Sequence, residues 1–222
     1  MGAGNRPHFY MATIADICNL ALAQLGDNAT VTSIDPPDGS PQAGHCARWY
    51  PQALRKLGEE YDWSFLTCRE KLAAHSSINE DVYDWKYSYA IPSKCVRVIR
   101  LLRFNPFKER FEPVRFEVEM NPDNSSKMIL TNAKEPVIMY VGLNTNASIY
   151  PSYFVQALVL LLAQYLVGPL QQVSGGSQSV LQALRQQYAE ALSMAKTLDA
   201  KNSVQDSPQP LRIPAHIRAR RV

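Results

Sequence analysis

Between Tyr153 and Val167 the sequence reads YFVQALVLLLAQYLV, apolar on nearly every side of the helix it would form. A helix without a polar face has to be surrounded, so in a soluble chain it demands helical partners. The rest of the sequence supplies them. Ile14, Ile17, Cys18, Ala21 and Leu25 recur at helical spacing behind Thr13, which with Asp16 has the form of a capping box, and Gly26 offers a stop. Ser40-Pro41 opens a second helix with a cap and a proline at the first helical position, followed by the stripe Ala43, Ala47, Tyr50, Leu54, Leu57 and Tyr61. Pro51 within that stripe predicts a kink or a division near Arg48, but the stripe continues in phase across it, so the helix is expected to carry on. A fourth helix is expected over Ser177 to Leu198, with Leu181, Leu184, Tyr188, Ala191, Ala195 and Leu198 on one face. The apolar run carries Gln156 and Gln164 and is expected to break at Gly168-Pro169, short of the ~20 residues of a membrane span. No membrane partner is expected.

From Trp63 the character changes. Phe65, Val82, Tyr83, Trp85, Tyr87, Tyr89 and Ile91 favour strands, and Val96, Val98, Ile99, Leu101 and Leu102 follow, interleaved with Arg97, Arg100 and Arg103. Phe111 to Met120 alternates as one strand. Lys127 to Thr131 and Glu135 to Gly142 resemble a hairpin around Asn132-Ala133-Lys134. Five or six strands are expected. The predicted architecture is therefore α+β, a split four-helix bundle (residues 13–62 and 150–200) with an inserted antiparallel β domain (63–149). A flexible arm (1–12) precedes it, and an extended basic C-terminal tail (201–222) follows, kept from regular structure by Pro208, Pro210 and Pro214.

Charge is unevenly placed. The net charge is +3, yet Lys201 to Val222 holds five basic residues against Asp206, so the remainder sums to −1. A neutral body with a basic tail suits an acidic surface or nucleic acid as partner, or no partner at all. Leu211, Ile213 and Ile217 lie among those arginines, and a merely solvating tail has no use for them, whereas a segment that docks along a partner does. With 46% apolar and 19% charged residues, wholesale disorder is excluded. The first residues lack the apolar core of a secretory signal, so a product made or assembled in a cytoplasm is expected.

Little in the chain points to chemistry. There is no nucleophile elbow, no glycine-rich phosphate loop and no H-E-x-x-H, and Cys18, Cys46, Cys68 and Cys95 never form C-x-x-C. They are expected to be reduced, buried thiols. His8, His45, His75 and His216 are scattered. Glu59, Glu60 and Asp62 make the one tight acidic cluster, but helical neighbours point about 100° apart, so the expectation is a solvated helix end. Tyr83, Trp85, Tyr87 and Tyr89 would share one strand face, either as the inner face of a sheet or as a stacking platform for bases or sugars. The three arginines do not keep period two, which argues against a basic stripe for nucleic acid.

Several segments together are familiar. IADICNLALAQLGDNATVTSID and then CARWYPQALRKLGEEYDWSFLTCREKLA resemble the amino-terminal region of the tail tubular protein A family, the head-to-tail adaptors of short-tailed phages. The first helix ends in Leu25-Gly26; Tyr50-Pro51-Gln52-Ala53-Leu54-Arg55 and Trp63-Ser64-Phe65 follow. The tyrosine-rich strand and hydrophobic strand of Tyr87 to Leu102 match next, as does the opening Ile149 to Phe154. The resemblance implies a structural virion protein with no catalytic site and no cofactor. Such adaptors form a homo-oligomer ring, usually twelve copies, beneath the portal protein, with the tail nozzle protein on the other side. Double-stranded DNA passes without sequence recognition. The location implied is the phage neck, assembled in the host cytoplasm. By position alone, Leu211, Arg212, Ile213, Ile217, Arg218, Arg220 and Arg221 would bind the portal, twelve tethered copies raising the effective concentration of each weak contact. Two rival readings stand beside it. One is a cell-wall or polysaccharide hydrolase using the acids near Glu59 to Asp62; the other is a DNA-binding module using the basic tail.

Overall fold

The computed structural model describes residues 12–74, 84–121, 126–170 and 177–203. Helix α1 spans Ile14–Ala23. Its capping box is formed: Asp16 N–H donates to Thr13 Oγ1 at 3.1 Å and Thr13 N–H to the Asp16 carboxylate at 2.9 Å. Gly26, at φ +73°, takes the left-handed turn that follows.

Helix α2 spans Pro41–Glu59, with Ala43 N–H donating to Ser40 Oγ. It runs on through Pro51, as the continuous apolar stripe predicts. The proline removes one backbone bond, but Tyr50, Ala53 and Leu54 beside it are all buried, and that burial outweighs the loss.

Helix α3, Ser152–Leu170, continues through Gly168 and Pro169 where a break was expected, because Leu166 and Val167 are buried and hold the last turn. By length and composition it would cross a bilayer. Here it packs against α1, α2 and helix α4 (Ser177–Ser203), burying Phe154, Leu158, Leu161 and Leu162. In α4, Leu184 and Ala195 face this core as expected. Leu198 turns outward, and Asp199 takes the buried position. Both lie on the helical repeat from Ala195, three and four residues on; hydropathy favoured the wrong one.

Seven strands occur among the described residues: β1 (Thr67–Lys71), β2 (Tyr87–Ala90), β3 (Cys95–Asn105), β4 (Arg110–Val114), β5 (Glu117–Met120), β6 (Lys127–Thr131) and β7 (Val137–Gly142). They form two antiparallel sheets, ordered β1-β7-β3-β4 and β2-β6-β5. The first sheet lies between the other layers. Along β7, Val141 joins the helical core, while Ile138 and Tyr140 face Tyr89 and Ile129 of the second sheet.

Five or six strands were expected where seven are present among the described residues, and three further strand expectations are corrected. Phe111 to Met120 is two strands in different sheets, separated at Arg115 and Phe116. The chain changes layer there, and the Arg115 carbonyl accepts from Thr131 Oγ1 of β6. β6 and β7 do not form a hairpin; they too belong to different sheets. The Tyr89 hydroxyl holds their connection, donating to the Ala133 carbonyl and accepting from Glu135 N–H, both at 3.1 Å. Glu135 itself sits at φ 51°. Finally, the aromatic series is not one strand face. Trp85 precedes β2 and Tyr83 lies outside the described residues, although the Tyr87 and Tyr89 rings do neighbour each other at 6.4 Å.

Candidate functional site

The tail residues singled out by sequence, Leu211, Arg212, Ile213, Ile217, Arg218, Arg220 and Arg221, lie outside the described residues. What is described is how the helix leading to them is held. Asp199 is 1% exposed. Its carboxylate accepts from Ser64 N–H at 2.9 Å, Ser64 Oγ at 2.8 Å and the Tyr153 hydroxyl at 2.9 Å. The last turns of α4 are thus fastened at once to the approach to β1 and to the start of α3. Burial, then the bond to Asp199, pushes the Tyr153 hydroxyl up to about 12.

Two of the three acids in the cluster are engaged by arginines. Arg55 Nε donates to Glu59 at 3.0 Å across one helical turn, and Arg97 donates both to the Glu59 carbonyl at 3.1 Å and to the Asp62 carboxylate. Arg97 thereby ties β3 to the end of α2. The pairing of β3 with β7 shifts register between Cys95 and Arg97 and again between Val98 and Arg100, so simple alternation fails between Arg97 and Arg100.

Cys18 and Cys46 are buried as expected, and the structure brings them together: the hydrogen bond to Cys46, then burial, holds the Cys18 thiol above its ordinary range. Cys68 is exposed, a correction, because β1 is an edge strand with most of its side chains in solvent. Among the described residues no three His, Cys, Asp or Glu side chains are grouped to hold a metal.

Two surface features escaped the sequence reading. The first is the β3–β4 hairpin, whose tip carries three phenylalanines. Phe104 and Phe111 pair across the ladder with rings 5.4 Å apart, yet each is about half exposed (49% and 51%), and Phe107 in the turn is 97% exposed. The turn is built by Phe107 N–H donating to Asn105 Oδ1 at 3.0 Å and by Glu109 at φ 49°. Asn105-Pro106 was a legible turn signal; the exposure of its phenylalanine was not. The second feature is a cleft of about 530 Å³ at the base of the same hairpin. Its lining is mostly polar, with Asp84, Arg103, Arg115, Glu117, Thr131 and Asn132 beside Trp85, Val114 and Ala133. Trp85 Nε1–H donates to Glu117 at 3.1 Å and so sets the ring in place. Helix α4 also exposes apolar side chains, Met194 at 63% and Leu198 at 37%.

No family model and no curated protein matches the chain. Among solved structures it is similar to a chain in the neck of an empty GTA particle computed with C6 symmetry, at 15% identity and a TM-score of 0.29. The match covers 82% of this chain and 93% of that one. At that score the likeness assigns neither fold nor function.

Proposed function

We propose that the protein is a structural virion component, the adaptor ring that joins the portal to the tail nozzle at a phage neck and lets DNA pass at packaging and ejection. The observation that carries this reading is the resemblance over the first 75 or so residues, together with where its residues meet. Trp63 and Phe65 come from one stretch and Tyr150 and Phe154 from another, 85 or more residues on. Their rings form one cluster, with Trp63–Phe154 at 5.1 Å, Phe65–Phe154 at 4.9 Å and Tyr150–Phe154 at 5.2 Å. Motif segments distant in sequence therefore support one shared core.

In this reading α1 to α4 act as a split bundle carrying residues 63–149 as its insert. The chain catalyses nothing and needs no cofactor. Glu59 and Asp62, each engaged by an arginine, hold structure together rather than serving as an acid and base pair. The tail from 201 onward anchors each copy to the portal, and Asp199 sets the point from which it departs. The copies close into a ring, twelve by analogy with the family.

The test mixes the purified chain with the portal ring of the same phage and images the product by electron microscopy, beside a chain ending at Asn202. A second ring stacked on the portal and lost on truncation is expected. A ring that survives truncation removes the role given to the tail. No ring from either chain removes the adaptor reading, and activity in a sugar-release assay abolished by Glu60→Gln would replace it with the hydrolase.

A further inference from the structure

We infer that the first sheet, on the face it shares with the end of α2, binds the phosphate backbone of double-stranded DNA through Arg69, Lys71 and Arg100; the choice of a duplex rests on the neck reading above. Residues paired across an antiparallel sheet lie on one face. Val141 of β7 belongs to the helical core, so Met139 and Val137, two and four positions earlier, point to the same side. Met139 pairs with Arg69 of β1 on one flank and with Arg100 of β3 on the other. Lys71, opposite Val137, stands next to Arg69 on this face. The register shift between Val98 and Arg100 is what brings Arg100 here. It lets Arg97 and Arg100, three apart in sequence, pair with Val141 and Met139, which share a face. Odd spacing along β3 argues against a basic stripe only while β3 is taken as regular. The stripe runs across strands instead, from β1 over β7 to β3.

Charge complementarity names the occupant. Arg69, Lys71 and Arg100 are exposed, and the ion pairs found among the described residues engage none of them. The acids of the same strands, Glu70 and Glu112, pair with Ile138 and Arg103 and so lie on the opposite face. Arg97, nearer α2, is held by Asp62 and adds no free charge. Strand geometry puts the Cα atoms of Arg69 and Arg100 about 10 Å apart across β7, and those of Arg69 and Lys71 about 7 Å apart along β1. A duplex carries one charge per ~1.7 Å of its axis, so three cations in that span meet several phosphates at once. Between the cations, Val137 and Met139 are half-buried and Leu102 is buried, which leaves no exposed apolar centre of the kind a protein interface needs. The exposed Phe104–Phe111 pair begins one row further out, on the hairpin. A four-stranded sheet is wider than the two-stranded ribbon a major groove admits, so the contact is with the backbone and carries no sequence preference.

The test is fluorescence anisotropy of the full chain with a labelled duplex of mixed sequence, between ~50 and ~200 mM salt. The variant Arg69→Gln/Lys71→Gln/Arg100→Gln is expected to bind about tenfold or more weakly at the lower salt, with the slope of log affinity against log salt reduced by about 2 to 3. Lys86→Gln/Lys127→Gln/Lys134→Gln removes the same charge from exposed positions on and beside the second sheet, and is expected to weaken binding less than about threefold. Arg69→Lys/Arg100→Lys keeps the charge and is expected to bind like the unaltered chain. Equal losses from the two triple variants, an unchanged slope, or no duplex binding by the unaltered chain would each overturn the inference. Poly-glutamate bound as tightly as the duplex, and released by the first variant, would overturn it too and assign the face to an acidic protein. The neck reading fails separately. Duplex binding lost in the first variant, in a chain that forms no ring on the portal, keeps the surface and removes the adaptor. A portal-bound ring with duplex binding unaffected by that variant removes the surface and keeps the adaptor.

Discussion

A single carboxylate illustrates how much one residue decides in this protein. Asp199 is buried among three donors, Ser64 N–H, Ser64 Oγ and the Tyr153 hydroxyl. Burying a carboxylate is costly unless its lone pairs are satisfied, and these donors satisfy it. Asp199→Ala leaves all three without their acceptor and is expected to lower the unfolding free energy by about 3 kcal/mol in urea denaturation. Lys201→Ala, two residues on and exposed, is expected to change it by less than about 0.5 kcal/mol. Equal effects from the two substitutions would show that the fastening has no energetic role. Sequence spacing brought this residue within one position of notice, since the α4 stripe reaches Ala195 and then offers Leu198 or Asp199. Only the donors supplied by Ser64, 135 residues away, explain why the acid is the buried one.

Among the elements, the β3–β4 hairpin depends on acid–base state. Lys108 first, then Asn105, and further on Arg110, hold the Glu112 carboxyl down to about 2 from its ordinary 4.5. A depressed carboxylate stabilises the folded form at pH values above its unfolded pKa, and that contribution is lost as pH falls through the folded one. The hairpin tip is therefore expected to loosen between pH 4.5 and about 2, read as faster amide exchange at residues 105–110 relative to β7. Glu112→Gln should show the loosened tip already at neutral pH, with no further change over that window. Exchange that is flat with pH in the unaltered chain would contradict this account. Strand identity was legible from alternation, but sheet membership was not. Phe111 to Met120 alternates apart from one change of phase at Pro113-Val114 and yet serves two sheets, because alternation reports which face is buried and not which neighbour supplies the hydrogen bonds.

At the scale of the whole molecule, Trp63 joins the layers. Its indole N–H donates to the Leu57 carbonyl near the end of α2 at 2.7 Å, and its ring meets Tyr61, Phe65 and Phe154. Trp63→Ala is expected to cost about 4 kcal/mol, with helical and near-ultraviolet signals still lost in one transition because the first sheet shares the helical core. Two separated transitions in the unaltered chain would show instead that the layers fold apart. The sequence by itself determined that two helices precede and two follow a strand-rich segment, where α1 and α2 begin, and that α3 must be surrounded. Those features follow from local capping chemistry and from the period of apolar residues, both of which act over a few neighbours. The tertiary structure alone decided that α3 runs on past Pro169, that β6 and β7 part into different sheets, that Asp199 lies inside, and that Phe107 lies outside. Each of these depends on partners far away in the chain: a helix is carried across a proline by the burial of its neighbours, and a side chain is buried or exposed according to what packs over it.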